Sequence, residues 1–248
     1  MKHKSKSFFV PFLVLALIIF ILDSGFAMKP TEVLIFSKTA GFHHKSIPSG
    51  ILAIQKMGLE NRFGVDTTTN SNLFTFRNLK QYKAIIFLNT TGDVLDDTQQ
   101  NEFQKYINRG GGFVGIHAAT DCEYDWPWYG NLVGAYFSAH PKQQTAVLKV
   151  VDADHISTKH LPAEWKRFDE WYNFKWVAPD LEILINIDET TYDAGPKKMG
   201  ANHPMAWYHK YDGGRAFYTE LGHTDESYSE PLFLKHLLGG IKYVIGRK

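Results

Sequence analysis

Three short apolar runs in the first half of the chain are the strongest constraint on its fold. They lie at residues 31–37 (TEVLIFS), 83–89 (KAIIFLN) and 113–116 (FVGI). Their unbroken apolar character predicts strands that are buried on both faces. A more polar strand is predicted at 65–69, and amphipathic helices are predicted at about 48–62 and about 97–108. Strands and helices that alternate at this spacing predict a parallel sheet with helices on both faces.

The second half of the chain has a different pattern. Four more strands are predicted, at residues 145–151, 181–187, 205–210 and 215–220. The last two flank Tyr211-Asp212-Gly213-Gly214 and form a hairpin, and a closing helix is predicted at about 231–245. Residues 121–142 are rich in aromatic residues and glycine, which indicates an excursion over one rim of the sheet. We therefore predict one α/β domain over 28–248, with a mainly parallel sheet and a C-terminal hairpin.

Residues 1–27 have the pattern of a secretory signal peptide. Lysines form a positive segment, an apolar stretch continues to Leu22, and small residues precede a cleavage site after Ala27. The alternative is an uncleaved anchor helix, but the apolar stretch is shorter than the roughly 20 residues that span a bilayer. We expect a periplasmic or secreted protein that meets the membrane only through its export signal.

The mature chain would carry almost no net charge. Removal of residues 1–27 takes away three lysines and one aspartate, which changes the formal net charge from +1 to −1. No run of Lys or Arg forms a basic stripe, so a nucleic-acid partner is not expected. Cys122 is the only cysteine of the sequence, so no intrachain disulfide can form. The sequence leaves the oligomeric state open.

A histidine stands where the fourth strand should end. In Gly115-Ile116-His117-Ala118-Ala119 a polar residue separates a buried strand from a run of small residues, as in a nucleophile elbow. Small neighbours allow the backbone to turn sharply and to lift one side chain above the sheet. Open α/β sheets bind their ligands at this carboxyl edge. His117 is therefore a candidate functional residue, and the alternative is a histidine that only satisfies loop carbonyls.

Four stretches spread over nearly all of residues 31–248 match a known family. They are residues 39–47 (TAGFHHKSI), 111–119 (GGFVGIHAA), 169–172 (DEWY) and 214–223 (GRAFYTELGH). In these stretches the chain resembles the ThuA-like (trehalose utilisation) family of the class I glutamine amidotransferase-like superfamily. The resemblance implies a flavodoxin-like three-layer sandwich, in agreement with the predicted strands. It also implies a small carbohydrate as substrate, such as a glucoside, a disaccharide or an oxidised (3-keto) sugar.

The sequence departs from the wider superfamily at the elbow. Amidotransferases present a cysteine there, supported by a distant histidine and by a carboxylate two residues beyond it. This chain has His117 at the elbow, and His223-Thr224-Asp225 resembles the later pattern. An imidazole cannot replace a thiolate in glutaminase chemistry, and Cys122 lies five residues past the elbow. A functional glutamine amidotransferase is therefore not expected, and a residual amidohydrolase is disfavoured.

The predicted catalytic residues are His117, His223 and Glu170. The two imidazoles suit general acid–base chemistry near neutral pH, and the carboxylate would orient or assist them. Proton transfer next to a carbonyl, or hydrolytic or eliminative cleavage of a glycoside, would make the chain an isomerase, a hydrolase or a lyase. Predicted substrate-binding residues are His44, His43, Asp121, His140, Trp171, Tyr172 and His203. His44 ranks before His43 because it lies nearer to the predicted helix.

The same histidines and carboxylates suit a divalent metal ion such as Zn²⁺. No local metal-binding motif is present in the sequence, so this hypothesis depends on convergence in three dimensions, and no ligand set is assigned. No glycine-rich dinucleotide fingerprint follows the first strand, where Lys38-Thr39-Ala40-Gly41-Phe42 stands, so a nicotinamide cofactor is not expected.

A non-catalytic carbohydrate-binding or structural module is the alternative function. The aromatic segment 124–137 suits that role. Convergence of His117, His223 and Glu170 within hydrogen-bonding reach would favour catalysis or metal binding. Scattered side chains would favour the module.

Overall fold

The computed structural model describes residues 31–247, and the predicted signal peptide lies outside these residues. The described part contains eleven strands and five α-helices. The strands are β1 (Thr31–Phe36), β2 (Phe63–Thr68), β3 (Ala84–Leu88), β4 (Gly112–Ile116), β5 (Ala135–Ala139), β6 (Gln144–Val150), β7 (Glu164–Asp169), β8 (Asn173–Val177), β9 (Glu182–Asp188), β10 (Pro204–Tyr211) and β11 (Gly214–Thr219). The helices are α1 (Ile47–Asn61), α2 (Phe76–Leu79), α3 (Asp97–Asn108), α4 (Pro127–Val133) and α5 (Pro231–Val244).

One large mixed sheet organises these elements. Its strand order is β2-β1-β3-β4-β11-β10-β9-β6-β7, while β5 and β8 form a separate two-stranded sheet. The strands from β2 to β11 in this order are parallel, and every later pair is antiparallel. The predicted α/β architecture and the C-terminal hairpin of β10 and β11 are confirmed. The sheet is more mixed than predicted, because four antiparallel strands extend its parallel half.

Helices cover both faces of the sheet. Helix α5 packs on β4, β11 and α1, while α3 and α4 lie against β11 from the other side, next to one another through Phe103 and Trp128. The central strands β3 and β4 are buried along their whole length. Asp96 caps α3 through a capping box with Gln99. Among residues 31–247, no helix combines the length and apolar character needed to span a bilayer.

Three strands were missed by the sequence patterns, and β7 is the one that matters for the site. Along β7, buried Trp165, Arg167 and Asp169 alternate with exposed residues. Two of the three buried residues are charged, so the apolar alternation that predicts a half-buried strand is broken. Asp169-Glu170-Trp171-Tyr172 is the end of this edge strand and the turn that follows it.

The carboxyl edge of the parallel strands turns sharply at two neighbouring positions. Asn89 directly follows β3 with φ 50°, and His117 directly follows β4 with φ 48°. Left-handed backbone is uncommon for residues other than glycine, and it clusters at functional sites. The register pairs Leu88 with Ile116 and Ile116 with Thr219, so the ends of β3, β4 and β11 are level. The loops that follow these strands therefore open onto one rim.

Candidate functional site

His117 occupies the elbow that the sequence predicts at the end of β4. Its side chain is fully buried, and its Nδ1–H donates to the backbone carbonyl of Glu220 at 2.7 Å. This bond leaves Nε2 directed toward His223 and Glu170. The backbone beneath has no room for a larger residue, because a Cβ on Gly115 would lie 2.9 Å from the Tyr218 ring.

His223 lies in the loop after β11 and faces His117. Its Nδ1 is 3.1 Å from Nε2 of His117 and 3.1 Å from Oε2 of Glu170. On its other side, Nε2 lies 2.7 Å from the amide nitrogen of Gln143. Nδ1 of His223 thus faces the cluster and Nε2 faces Gln143, and the tautomer decides which nitrogen carries the proton. Gln143 was not predicted from the sequence, since no pattern marks a glutamine in a loop as part of a site.

Glu170 joins three histidines. One carboxylate oxygen, Oε2, lies 3.1 Å from His223 Nδ1 and 3.5 Å from His117 Nε2, and Oε1 lies 3.3 Å from His140 Nδ1. Burial opposes ionisation of this carboxyl, but the hydrogen bonds with His117 and His223 prevail and hold its pKa well below the usual range. Glu170 is therefore a carboxylate at every pH near neutrality.

His44 completes the cluster from the loop after β1. Its ring centroid lies 4.9 Å from that of His117 and 5.1 Å from that of His223. Burial lowers its pKa to about 2, with a further contribution from the neighbouring imidazoles, so His44 is neutral. Its buried Nδ1 has no hydrogen-bond partner among residues 31–247. His43 instead is exposed and bonds to Thr39, so the structure places His44, and not His43, at the site.

Glu220 is a further buried acid beside His117. Burial raises its pKa to about 7, while its Oε1 lies 3.6 Å from His117 Nδ1 and accepts the backbone N–H of Tyr172 at 3.0 Å. Burial alone would lower the pKa of His117, but Glu170 and Glu220 outweigh it and raise that pKa to about 10. Glu220 was not singled out from the sequence, although it lies within residues 214–223, the stretch that carries the resemblance.

Four side chains of this cluster lie close enough together that they could hold one metal ion. His44, His117, Glu170 and His223 each offer one ligand atom, and these atoms all lie within 4.8 Å of one another. Three imidazoles and one carboxylate form a donor set that suits Zn²⁺ and similar divalent ions. In addition, the unpartnered Nδ1 of His44 marks a buried donor that the protein itself does not satisfy.

A cavity of about 340 Å³ opens above the cluster. It is lined by Phe42, His44, Asp121, Phe137, His140, Gln143, Glu170, Tyr172 and His223. The lining combines aromatic rings with a small number of polar groups, as is usual for small-molecule sites. His44, Asp121, His140 and Tyr172, all predicted to bind substrate, are among the lining residues.

Trp171 and His203 do not reach this cavity. Trp171 is fully buried and its Nε1–H donates to the carbonyl of Gln144. His203 is also fully buried, with Nδ1 2.9 Å from Glu189 Oε1 and Nε2 2.8 Å from the carbonyl of Tyr172. Their positions do not support the predicted substrate contacts. Both side chains instead contribute buried hydrogen bonds that stabilise the fold outside the cavity.

Replacement of His203 by glutamine should separate this structural role from a role in binding. We expect the free energy of unfolding to fall by about 1–3 kcal/mol, because Glu189 and the Tyr172 carbonyl lose a buried partner. Metal and ligand affinity at the cavity should stay unchanged. Chemical denaturation and calorimetric titration measure the two quantities, and a loss of affinity at unchanged stability would contradict this assignment.

The fold and the site together define a class: a flavodoxin-like α/β domain with a histidine–carboxylate cluster at the carboxyl edge of its parallel strands. The sequence model of the ThuA family, described as trehalose utilisation, matches residues 32–244. The chain therefore belongs to the ThuA family, as the resemblance predicted, and the family relates it to carbohydrate metabolism. No curated protein matches its sequence.

Solved structures share this fold. A ThuA-like protein from Bacteroides uniformis superposes with a TM-score of 0.74 at 24% identity, covering 90% of this chain and 94% of the other. A ThuA-like protein from Parabacteroides merdae gives a TM-score of 0.72 at 20% identity, with 88% and 91% covered. A β-galactosidase from Bacillus circulans sp. alkalophilus matches at 0.58 and 11% identity, covering 89% of this chain and 32% of its own. These similarities confirm the flavodoxin-like fold.

Proposed function

We propose that this chain is an exported carbohydrate-modifying enzyme whose reaction centre is a divalent metal site formed by His44, His117, Glu170 and His223. The observation that carries the proposal is the convergence of these four side chains, from four distant segments, within 4.8 Å at the base of a cavity. A binding module has no need to bury three imidazoles against one carboxylate, so convergence favours chemistry over binding alone.

The protonation states of the cluster fit a metal ion. His44 is neutral and Glu170 is ionised, so both are ready to bind a cation. His117 holds a proton through its two glutamate neighbours, and a bound cation would take the place of that proton at Nε2. The hydrogen bond from Nδ1 to the Glu220 carbonyl then fixes the ring as a ligand, as partners of metal-bound histidines do. Such an ion would polarise a carbonyl or hydroxyl oxygen of the substrate.

The walls of the cavity suit a small carbohydrate. Phe137 and Tyr172 pack with ring centroids 4.2 Å apart, and Phe42 lies at the mouth with 63% of its surface exposed. Aromatic faces of this kind cover the C–H face of a sugar, while carboxylates and imidazoles bind its hydroxyls. Asp121, which accepts a hydrogen bond from Tyr124, and His140 supply such groups.

Within this proposal, proton transfer at the bound sugar is assigned to His140, which lines the cavity and is not one of the four ligands. Its Nδ1 lies 3.3 Å from Oε1 of Glu170, and 43% of its side chain is exposed. An imidazole at this position fits isomerisation next to a carbonyl, or hydrolytic or eliminative cleavage of a glucoside, a disaccharide or a keto-sugar.

Metal titration of the purified chain tests the proposal. We expect one Zn²⁺ per chain and, at a free concentration about 100 times Kd, a stabilisation of about 2.7 kcal/mol. For a domain of this size that corresponds to a rise in Tm of about 5–11 °C. His44→Ala should abolish this rise, whereas His209→Ala, at a buried histidine outside the cluster, should retain it. Absence of stoichiometric binding by the unmodified chain would refute the metal site.

Turnover assays identify the substrate class and decide whether the reaction needs the metal ion. Oxidised and unoxidised disaccharides and glucosides are supplied to the metal-loaded chain and to the chelated chain. Turnover that needs the metal supports the proposal. Equal turnover after chelation would instead assign the reaction to metal-free acid–base chemistry of His117, Glu170 and His223, whose mutual contacts of 3.1–3.5 Å favour this second candidate.

A further inference from the structure

Asn89 is a buried residue at the end of β3 that lies outside the histidine cluster but touches the segments that carry it. It is fully buried, and its φ of 50° is one of the few left-handed values among non-glycine residues of the described chain. Asparagine accepts this conformation more readily than most residues. A strained, buried amide beside a reaction centre is a feature that the proposed chemistry leaves unexplained.

Hydrogen bonds join Asn89 to the loop that carries His44. The side-chain Nδ2–H donates to Oγ of Ser46 at 3.1 Å, and Ser46 is two residues from His44. Ser46 is itself buried, and its hydroxyl donates to the carbonyl of Gly222 at 3.2 Å. The amide of Asn89 thus orders the first of the three histidine-bearing loops through one hydroxyl.

Asn89 is also linked by hydrogen bonds to the segments that carry the other two histidines. Gly222, whose carbonyl accepts from Ser46 and lies 3.5 Å from Asn89 Nδ2, directly precedes His223. The backbone N–H of Asn89 donates to the carbonyl of Ile116 at 3.3 Å, and Ile116 directly precedes His117. One residue therefore contacts all three segments, each within two residues of a histidine in the cluster.

We infer that Asn89 is a positioning residue that sets the mutual placement of His44, His117 and His223, through the Asn89–Ser46–Gly222 hydrogen-bond bridge and its own backbone N–H. The inference rests on the proposed metal site. Asn89 touches none of the four ligand side chains, so its effect is exerted through the loops. Partners that hold the ligands of a metal site typically change its affinity by about 10–100-fold.

Asn89→Gly is the sharpest test, because glycine keeps the left-handed backbone and removes only the amide. We expect a loss of Zn²⁺ affinity of about 10-fold by calorimetric titration, the lower end of the range for groups that bond to the ligands directly. We also expect an altered visible spectrum of the Co²⁺-loaded chain, since the ligand geometry changes. Arg62→Gly is the matched control: it removes a side chain at φ 59°, at the end of α1, and should leave both quantities unchanged.

Ser46→Ala provides a second variant that interrupts the same bridge without altering the left-handed backbone. It should lower Zn²⁺ affinity in the same direction by a smaller factor, and it decides the question if Asn89→Gly does not fold. Unchanged affinity and an unchanged Co²⁺ spectrum in a folded Asn89→Gly or Ser46→Ala chain would overturn the inference alone. Absence of Zn²⁺ binding by the unmodified chain would overturn the proposed function, and this inference with it.

Discussion

Replacement of His117 by asparagine should remove turnover and metal binding together. Asparagine tolerates the left-handed backbone at this position, where φ is 48°, better than alanine does. It lacks the Nε2 atom that lies 3.1 Å from His223 and 3.5 Å from Glu170. We expect turnover of an identified substrate to fall by about 10²–10⁴-fold, the range typical for loss of an acid–base group. Zn²⁺ at concentrations that saturate the unmodified chain should no longer raise Tm.

His209→Asn is the control for His117→Asn. His209 is also a buried histidine, and its Nε2 bonds to the carbonyl of Leu132, away from the cavity. Its replacement should lower stability while turnover and metal affinity stay unchanged. Full turnover in a folded His117→Asn chain would exclude His117 from the chemistry.

Glu170→Gln should have the second largest effect. The substitution keeps the volume of the side chain but removes the charge that His117, His223 and His140 share. We expect turnover to fall by about 10²-fold, near the lower end of the acid–base range. Glu189→Gln is the matched control, because Glu189 also pairs with a buried histidine, His203 at 2.9 Å, outside the cavity.

The pH dependence of stability in the chelated chain offers an independent measure of the same interaction. The pKa of His117 is raised from 6.5 to about 10, so its stabilising contribution is complete below pH 6.5 and is lost as pH rises through about 10. Glu220, with its pKa raised from 4.5 to about 7, has the same sign and loses its contribution through pH 7. The free energy of unfolding should therefore decline between pH 7 and 10.

Glu170→Gln should flatten this decline, because the variant lacks one of the two carboxylates that raise the pKa of His117. Glu189→Gln should retain the slope of the unmodified chain. Urea denaturation at a series of pH values gives both slopes. An identical slope in Glu170→Gln would mean that the carboxylate does not support the charge on His117.

The parallel half of the fold could be predicted from the sequence because its strands are apolar throughout. The runs at 31–37, 83–89 and 113–116 bury their apolar side chains as strands that are covered on both faces, and they form β1, β3 and β4. Strand β7 was not predicted because Arg167 and Asp169 occupy its buried face, where their ion pair replaces apolar packing. A local sequence pattern cannot show that a charged residue is buried, because its burial depends on a partner that compensates the charge in the folded structure.

The candidate site, like the fold, could be predicted from the sequence only in part. His44, His117 and His223 follow β1, β4 and β11, so the topology of the parallel half brings them to one rim, whereas Glu170 follows β7 of the antiparallel half and was predicted from the family resemblance. His203 directly precedes β10, whose start lies beside the end of β11, but its buried ring bonds to Glu189 and to the Tyr172 carbonyl and does not line the cavity. Gln143 and Glu220 were missed because their roles depend on distances that no spacing encodes.

The position of β11 has a consequence for how the chain acquires its shape. Among the strands of residues 31–247 this one comes last in the sequence, yet it lies between β4 and β10 in the middle of the sheet. Before β11 pairs with its neighbours, β4 and β10 each present an unpaired edge, and such edges are prone to associate with other chains. Contacts between segments so far apart in sequence also form slowly. Because His223 follows β11, the appearance of metal affinity during refolding would report the insertion of this last strand, and hence the completion of the native topology.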